Sequence, residues 1–149
     1  MKPKVCLACS AGGHLTELLS VKEAWEGYES FLVTFRREDT SGMEGKIYYI
    51  EDPRRNPLQL LRNILQALRV VLEERPGVII TTGAGVVVPL CYIGKLLGSK
   101  IIYIESFARI DSPSLSGRLL YPIADLFFVQ WRALLGKYGR KAQYGGGIF

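Results

Sequence analysis

The residues of this chain that could do chemistry stand in three short clusters between apolar runs. The first is Ser10-Ala11-Gly12-Gly13-His14, continued by Leu15-Thr16-Glu17-Leu18-Leu19; the second is Thr82-Gly83-Ala84-Gly85; the third is Glu105-Ser106-Phe107-Ala108-Arg109. Glycines let a backbone approach a ligand closely or take a positive φ, or they simply make a tight turn. A strand that turns through glycines into a helix presents free N–H groups, and the helix dipole adds to their attraction for an anion. A histidine is the side chain enzymes most often use as a general base, so His14 is a candidate for that role; capping or packing in the first turn is its other reading. Glu105 can hold a sugar hydroxyl or take a proton, or it can pair with Arg109 four residues on. Together these types make a site for a phosphorylated ligand. Ser10, Gly12, Gly13, Thr16, Gly83, Gly85 and Arg109 are the candidates for its phosphates, and His14 and Glu105 for its proton chemistry.

Other chemistries fit less well. The dinucleotide fingerprint G-x-G-x-x-G is absent, and Arg36-Arg37 stands where an NAD site expects an acidic residue. An NADP- or nucleic-acid-binding protein is thus the weakest alternative, with no aromatic RNA-binding motif to support it. No cofactor is expected. Cys6 and Cys9 form C-x-x-C, but residues three apart on a strand point to opposite faces. With a single histidine in the chain, no metal site is expected either. Ser116 and the other serines lack the context of an activated nucleophile.

The elements that must position these residues alternate. Strands are expected at 4–9, 30–35, 46–50, 77–82, 100–104 and 125–129, and helices at about 14–26, 57–75, 85–97 and 114–121. Asn56-Pro57 is a helix start, while Gly77, Gly98 and Pro122 follow helix ends. Runs such as Ile101-Ile102-Tyr103-Ile104 do not alternate, which marks strands buried on both faces. The expectation is an α/β fold: a Rossmann-like, doubly wound parallel sheet. All three clusters then fall on the edge formed by the strands' carboxyl ends, where such sheets bind ligands.

The predicted helix 57–75 is apolar over an unusual width. Leu58, Leu61, Leu65, Leu68 and Leu72 form one stripe; Leu60, Ile64, Ala67 and Val71 form a second; Gln59, Arg62, Asn63, Gln66, Arg69 and Glu73 take the remaining face. One stripe should cover the sheet, and the other should meet a neighbouring helix, a partner subunit or a membrane surface.

With 149 residues, 48% hydrophobic and 22% charged, the chain suits one folded domain, 1–149. The net charge of +5 lies wholly in residues 76–149, where eight Lys/Arg stand against three Asp/Glu. That balance favours an anionic partner. No apolar run is long enough to span a bilayer, no signal peptide is evident, and three cysteines fit a reducing compartment. A cytoplasmic protein is expected.

The three clusters, with Pro89 and the closing Tyr144-Gly145-Gly146-Gly147-Ile148-Phe149, resemble one family along nearly the whole sequence. It is the family of split glycosyltransferases that includes bacterial polysaccharide biosynthesis subunits of the PssD/CpsF type. It also includes the membrane-recruiting subunit of the UDP-GlcNAc transferase acting on dolichol diphosphate-GlcNAc, and it is more distantly similar to the N-terminal half of MurG. The resemblance implies the N-terminal half of a GT-B fold, facing a lipid-linked saccharide acceptor at the cytoplasmic face of a membrane, with peripheral attachment. It further implies a C-terminal-half partner subunit that holds the UDP-sugar. Gly12, Gly13 and His14 match the family's loop at the acceptor diphosphate, and Glu105 and Arg109 match its glutamate-containing loop. Residues 145–149 are expected to form an apolar C-terminal tail, in which Gly147, Ile148 and Phe149 contact the partner. A non-catalytic acceptor-binding module, with all catalysis in the partner, is the alternative.

Overall fold

The computed structural model describes residues 2–36 and 45–147. Seven parallel strands form one sheet in the order β3-β2-β1-β4-β5-β6-β7. They are β1 (Val5–Cys9), β2 (Ser30–Thr34), β3 (Ile47–Tyr49), β4 (Val78–Gly83), β5 (Lys100–Ile104), β6 (Leu126–Val129) and β7 (Ala142–Tyr144). The helices are α1 (Gly13–Leu19), α2 (Pro57–Glu74), α3 (Val88–Leu96), α4 (Leu115–Leu120) and α5 (Leu135–Tyr138). This is the expected Rossmann-like, doubly wound sheet.

Two apolar cores flank it. Phe31, Val33, Ile79, Ile101, Tyr103 and Phe127 point to the face covered by α2, α3 and α4, where they pack on Ala67, Val71, Leu90 and Leu120. Val5, Leu7, Leu32 and Ile80 point to the other face and pack on Leu15 and Leu18 of α1 and on Trp25. Alternate strand residues therefore feed opposite cores, which accounts for their unbroken apolar runs.

Several elements differ from the sequence reading. The first helix stops at Leu19 rather than at 26, and a single tight turn, Lys22–Ala24, follows it. Trp25 then turns into the core beside α1, where it is buried. Residues 85–97 begin as a tight turn, Gly85–Val87, before α3 proper. The edge strand β7 and the one-turn helix α5 were not foreseen; three and four residues carry too little periodicity to read. Asn56 does cap α2, its Oδ1 accepting from the Leu58 N–H at 2.9 Å. The helix ends at Glu74, where Arg75 takes the left-handed conformation expected of a glycine, φ 46°. Gly77 has another duty, because a Cβ there would meet Pro3 Cβ at 2.6 Å.

The largest departure is the rotation of α2. Asn63, Ala67, Val70, Val71 and Glu74 face the sheet, and Leu58, Leu61, Leu65, Leu68 and Leu72 are all exposed. At about 100° per residue the leucine stripe lies nearly opposite the buried face. Asn63, expected among the polar positions, is fully buried and sets this rotation: its Nδ2 donates to the Glu51 carbonyl at 2.7 Å and the Val86 carbonyl at 2.9 Å. A buried amide with two backbone partners outweighs one more leucine turned inward, because each broken bond would orphan a buried polar group.

Candidate functional site

Strand order reverses between β1 and β4, and the crevice outside their carboxyl ends is where sheets of this kind bind ligands. The loop leaving β1 enters α1 through Gly12, whose φ of 88° and ψ of −133° suit only glycine. That turn swings His14 across to β4. Two bonds tie the elements together: Thr82 Oγ1 donates to the His14 carbonyl at 2.8 Å, and His14 Nδ1 lies 2.9 Å from the Thr82 carbonyl. A carbonyl can only accept, so Nδ1 carries a proton, and in the neutral form of the ring the lone pair is then on Nε2.

A cavity of about 370 Å³ opens beside the ring, lined by His14, Gly85, Ser106, Arg109, Ser114 and Ser116 among others. A more apolar hollow of about 420 Å³ adjoins it, sharing Gly85, Val88 and Leu119 and lined also by Arg54, Arg55, Leu60 and Pro89. Ala84, on the wall beside His14, has φ 96° and ψ 151°, a conformation that non-glycine residues rarely hold. Strain of this type gathers at ligand sites.

Of the residues singled out in the sequence, His14, Gly85 and Arg109 meet at this cavity. Ser10, Gly12, Gly13 and Thr16 lie on the adjoining loop and first turn of α1, where Gly13 and Thr16 are exposed. Arg109 is exposed and forms no ion pair among the described residues; the pairing of Glu105 with Arg109 is not made.

Glu105 and Gly83 are corrections. Glu105 was expected as a carboxylate open to the ligand, yet it has no exposed surface. Its oxygens accept from Tyr103 Oη at 3.0 Å, the Ser106 N–H at 3.0 Å, the Ser114 N–H at 3.1 Å, Ser114 Oγ at 2.8 Å and Tyr138 Oη. Five donors leave it no free lone pair for a substrate proton. Gly83 is buried too, with its N–H already donated to Thr81 Oγ1 at 2.9 Å. A Cβ at Gly83 would come within 2.8 Å of Ser116 Oγ and 2.9 Å of Tyr103 Oη, so its absence admits the hydroxyl network beneath the cavity.

Of the residues that hold the third loop, the sequence reading missed the roles of Glu17 and Trp131. Glu17 accepts from Ser106 Oγ at 3.0 Å and the Phe107 N–H at 3.2 Å; Trp131 Nε1 donates to the Phe107 carbonyl at 2.7 Å; Gln130 Nε2 donates to the Glu105 carbonyl at 3.0 Å. Gln130 and Trp131 follow β6 directly, whereas Glu17 lies inside α1. Cys6, Cys9 and Cys91 are free and buried, and burial lifts the Cys9 and Cys91 thiols to about 12. Of the tail, Gly147 lies beside the Phe107 ring, whereas Ile148 and Phe149, like Arg37, lie outside the described residues.

On the face opposite α2, no helix among the described residues covers β5 and β6. An apolar groove of about 330 Å³ runs there, lined by Val21, Ala24, Ile80, Ile102, Ile104 and Phe128 with Gly145 and Gly146 at one end. No described helix is long and apolar enough to cross a membrane.

Residues 54–148 match the family described as "Oligosaccharide biosynthesis protein Alg14 like". The UDP-N-acetylglucosamine transferase subunit ALG14 of Yarrowia lipolytica is 30% identical over 97% of this chain and 80% of its own. The Candida albicans subunit of the same name is 52% identical over 50% of this chain and 37% of its own length. Among solved structures, MurG of Acinetobacter baumannii superposes with a TM-score of 0.81 at 15% identity, over 98% of this chain and 45% of that one. The chain thus spans about half of the solved protein it matches, and its fold is the N-terminal half of a GT-B architecture.

Proposed function

Because the chain belongs to the Alg14-like family of oligosaccharide biosynthesis proteins, we propose that it is the acceptor-binding subunit of a two-subunit glycosyltransferase. A sugar passes from a UDP-sugar, held by a C-terminal-half partner, to a polyprenyl-diphosphate-linked saccharide held here. The observation that carries the reading is the cavity where His14 and Arg109 meet at the strand-order reversal. Arg109 supplies a charge-assisted donor for the acceptor diphosphate, with Ser10, Gly12, Gly13, Thr16 and Gly85 lining the same edge. The neutral His14 Nε2 takes the proton of the attacking hydroxyl. As the hydroxyl oxygen bonds to the anomeric carbon, that carbon's bond to the diphosphate oxygen breaks and UDP leaves. Offsetting the charge on UDP falls to the partner.

Two surfaces support the rest. The exposed α2 leucines, flanked by Arg62 and Arg69, have the composition of a helix lying in an anionic membrane surface, and the apolar hollow lined by Leu60 and Pro89 leads toward them from His14. On this reading the protein sits peripherally on the cytoplasmic face, with the prenyl chain running toward the bilayer. The open groove over β5 and β6, with Gly145 and Gly146 in its lining, suits an apolar helix of the partner, and Gly147, Ile148 and Phe149 are proposed as a second contact with that partner.

The test is reconstitution. The chain with its partner half should transfer the sugar from UDP-sugar to a polyprenyl-diphosphate saccharide, and neither half alone should do so. Micromolar binding of UDP-sugar by this chain alone would contradict the division of labour.

A further inference from the structure

We infer that Glu17 is a positioning residue for transfer: its buried carboxylate clamps the turn after β5 and so holds Arg109 at the His14 cavity. This rests on the acceptor-binding reading above. Glu17 is 6% exposed, an unusual place for an acidic side chain. No ion pair to it forms among the described residues. Its neighbours are instead all donors. Ser106 Oγ and the Phe107 N–H reach Oε1 at 3.0 and 3.2 Å, and Gln130 Nε2 approaches Oε2 at 3.4 Å. An acceptor-only group matches that surrounding, whereas an amide would set its own N–H groups against one of the donors.

The placement gives the clamp its purpose. Glu17 is one turn beyond His14 on α1; His14 faces β4 while Glu17 faces the loops after β5 and β6. A seven-residue helix therefore carries both the proton acceptor and the anchor of the opposite wall. The turn it holds is fixed from other sides by Glu105 at the Ser106 N–H and by Trp131 at the Phe107 carbonyl. Ala108 N–H donates to Ser106 Oγ at 3.2 Å, which passes the constraint on toward Arg109. The clamp thus gathers on the turn that ends in Arg109, a cation that forms no ion pair among the described residues.

The experiment compares Glu17→Gln, Ser106→Ala and the double variant in complex with the partner half. Acceptor KM and kcat are measured, together with hydrogen exchange at the Trp131 indole N–H. Glu17→Gln is expected to raise acceptor KM about tenfold with a smaller change in kcat, and to speed the indole exchange. Ser106→Ala should do the same to a lesser extent, and the double variant should cost less than the two effects combined, as for groups in one contact. An unchanged KM with only a lower melting temperature would overturn the proposal, as would fully additive effects. If the wild-type complex transfers no sugar, the acceptor-binding reading falls; unaltered indole exchange in both variants would separately overturn the clamp.

Discussion

Gly117 shows how tightly the floor of the cavity is built. A Cβ there would strike the Tyr138 hydroxyl and come within 2.6 Å of Glu105 Oε2 and 2.9 Å of Ser114 Oγ. These are the atoms that satisfy a fully buried carboxylate, so they cannot yield without orphaning it. Gly117→Ala should destabilise the protein by about 1–3 kcal/mol, measured by urea denaturation. Unchanged stability would mean that the network does not hold the loop. Three residues that line the candidate cavity were legible in the sequence: the histidine of Gly-Gly-His after a strand, a glycine of the second turn, and an arginine after the fifth strand. The burial of Glu105 was not, because its partners Ser114 and Tyr138 come from 9 and 33 residues away and only the folded sheet brings them in.

At the scale of elements, α2 holds the lesson. Its apolar width was plain in the sequence, and so was the need for a second surface to meet it. Its rotation was not, because one buried asparagine reaching two backbone carbonyls decides it, and asparagine reads as a surface residue. The leucines left outside are 38–58% exposed. If α2 lies on a bilayer as proposed, replacing two of them, Leu61→Glu with Leu65→Glu, would remove burial worth about 1.5–3 kcal/mol per side chain. Binding to vesicles containing anionic lipid should fall at least tenfold in co-sedimentation, while the melting temperature stays near that of wild type. Undiminished vesicle binding would overturn the proposed membrane contact of α2.

For the whole molecule, the parallel sheet was readable because strands buried on both faces leave unbroken apolar runs. The short edge strand β7 leaves no such trace. The opposite end of the sheet from the site is fastened by charge. Glu74, closing α2, accepts from Lys4 Nζ at 2.8 Å and also from Lys46 and from Tyr48 Oη at 2.5 Å, so it joins β1, β3 and α2. Lys4 first, then Lys46 and Tyr48, hold its carboxyl down at about 2. The unfolded chain keeps an ordinary value of about 4.3 and so binds the proton first as pH falls. The contribution of Glu74 is therefore complete above about pH 5 and is lost as pH drops toward 2. Glu74→Gln should cost roughly 1–3 kcal/mol at neutral pH and flatten the acid limb of stability against pH. A limb unchanged in the variant would assign it to other groups.

The measurement closest to the central claim is turnover by the reconstituted pair carrying His14→Ala, at saturating acceptor and UDP-sugar. With Nε2 as the group that receives the acceptor proton, kcat should fall about 10²- to 10⁴-fold while acceptor KM changes little. Full turnover in that variant would contradict the account and leave the chemistry entirely to the partner.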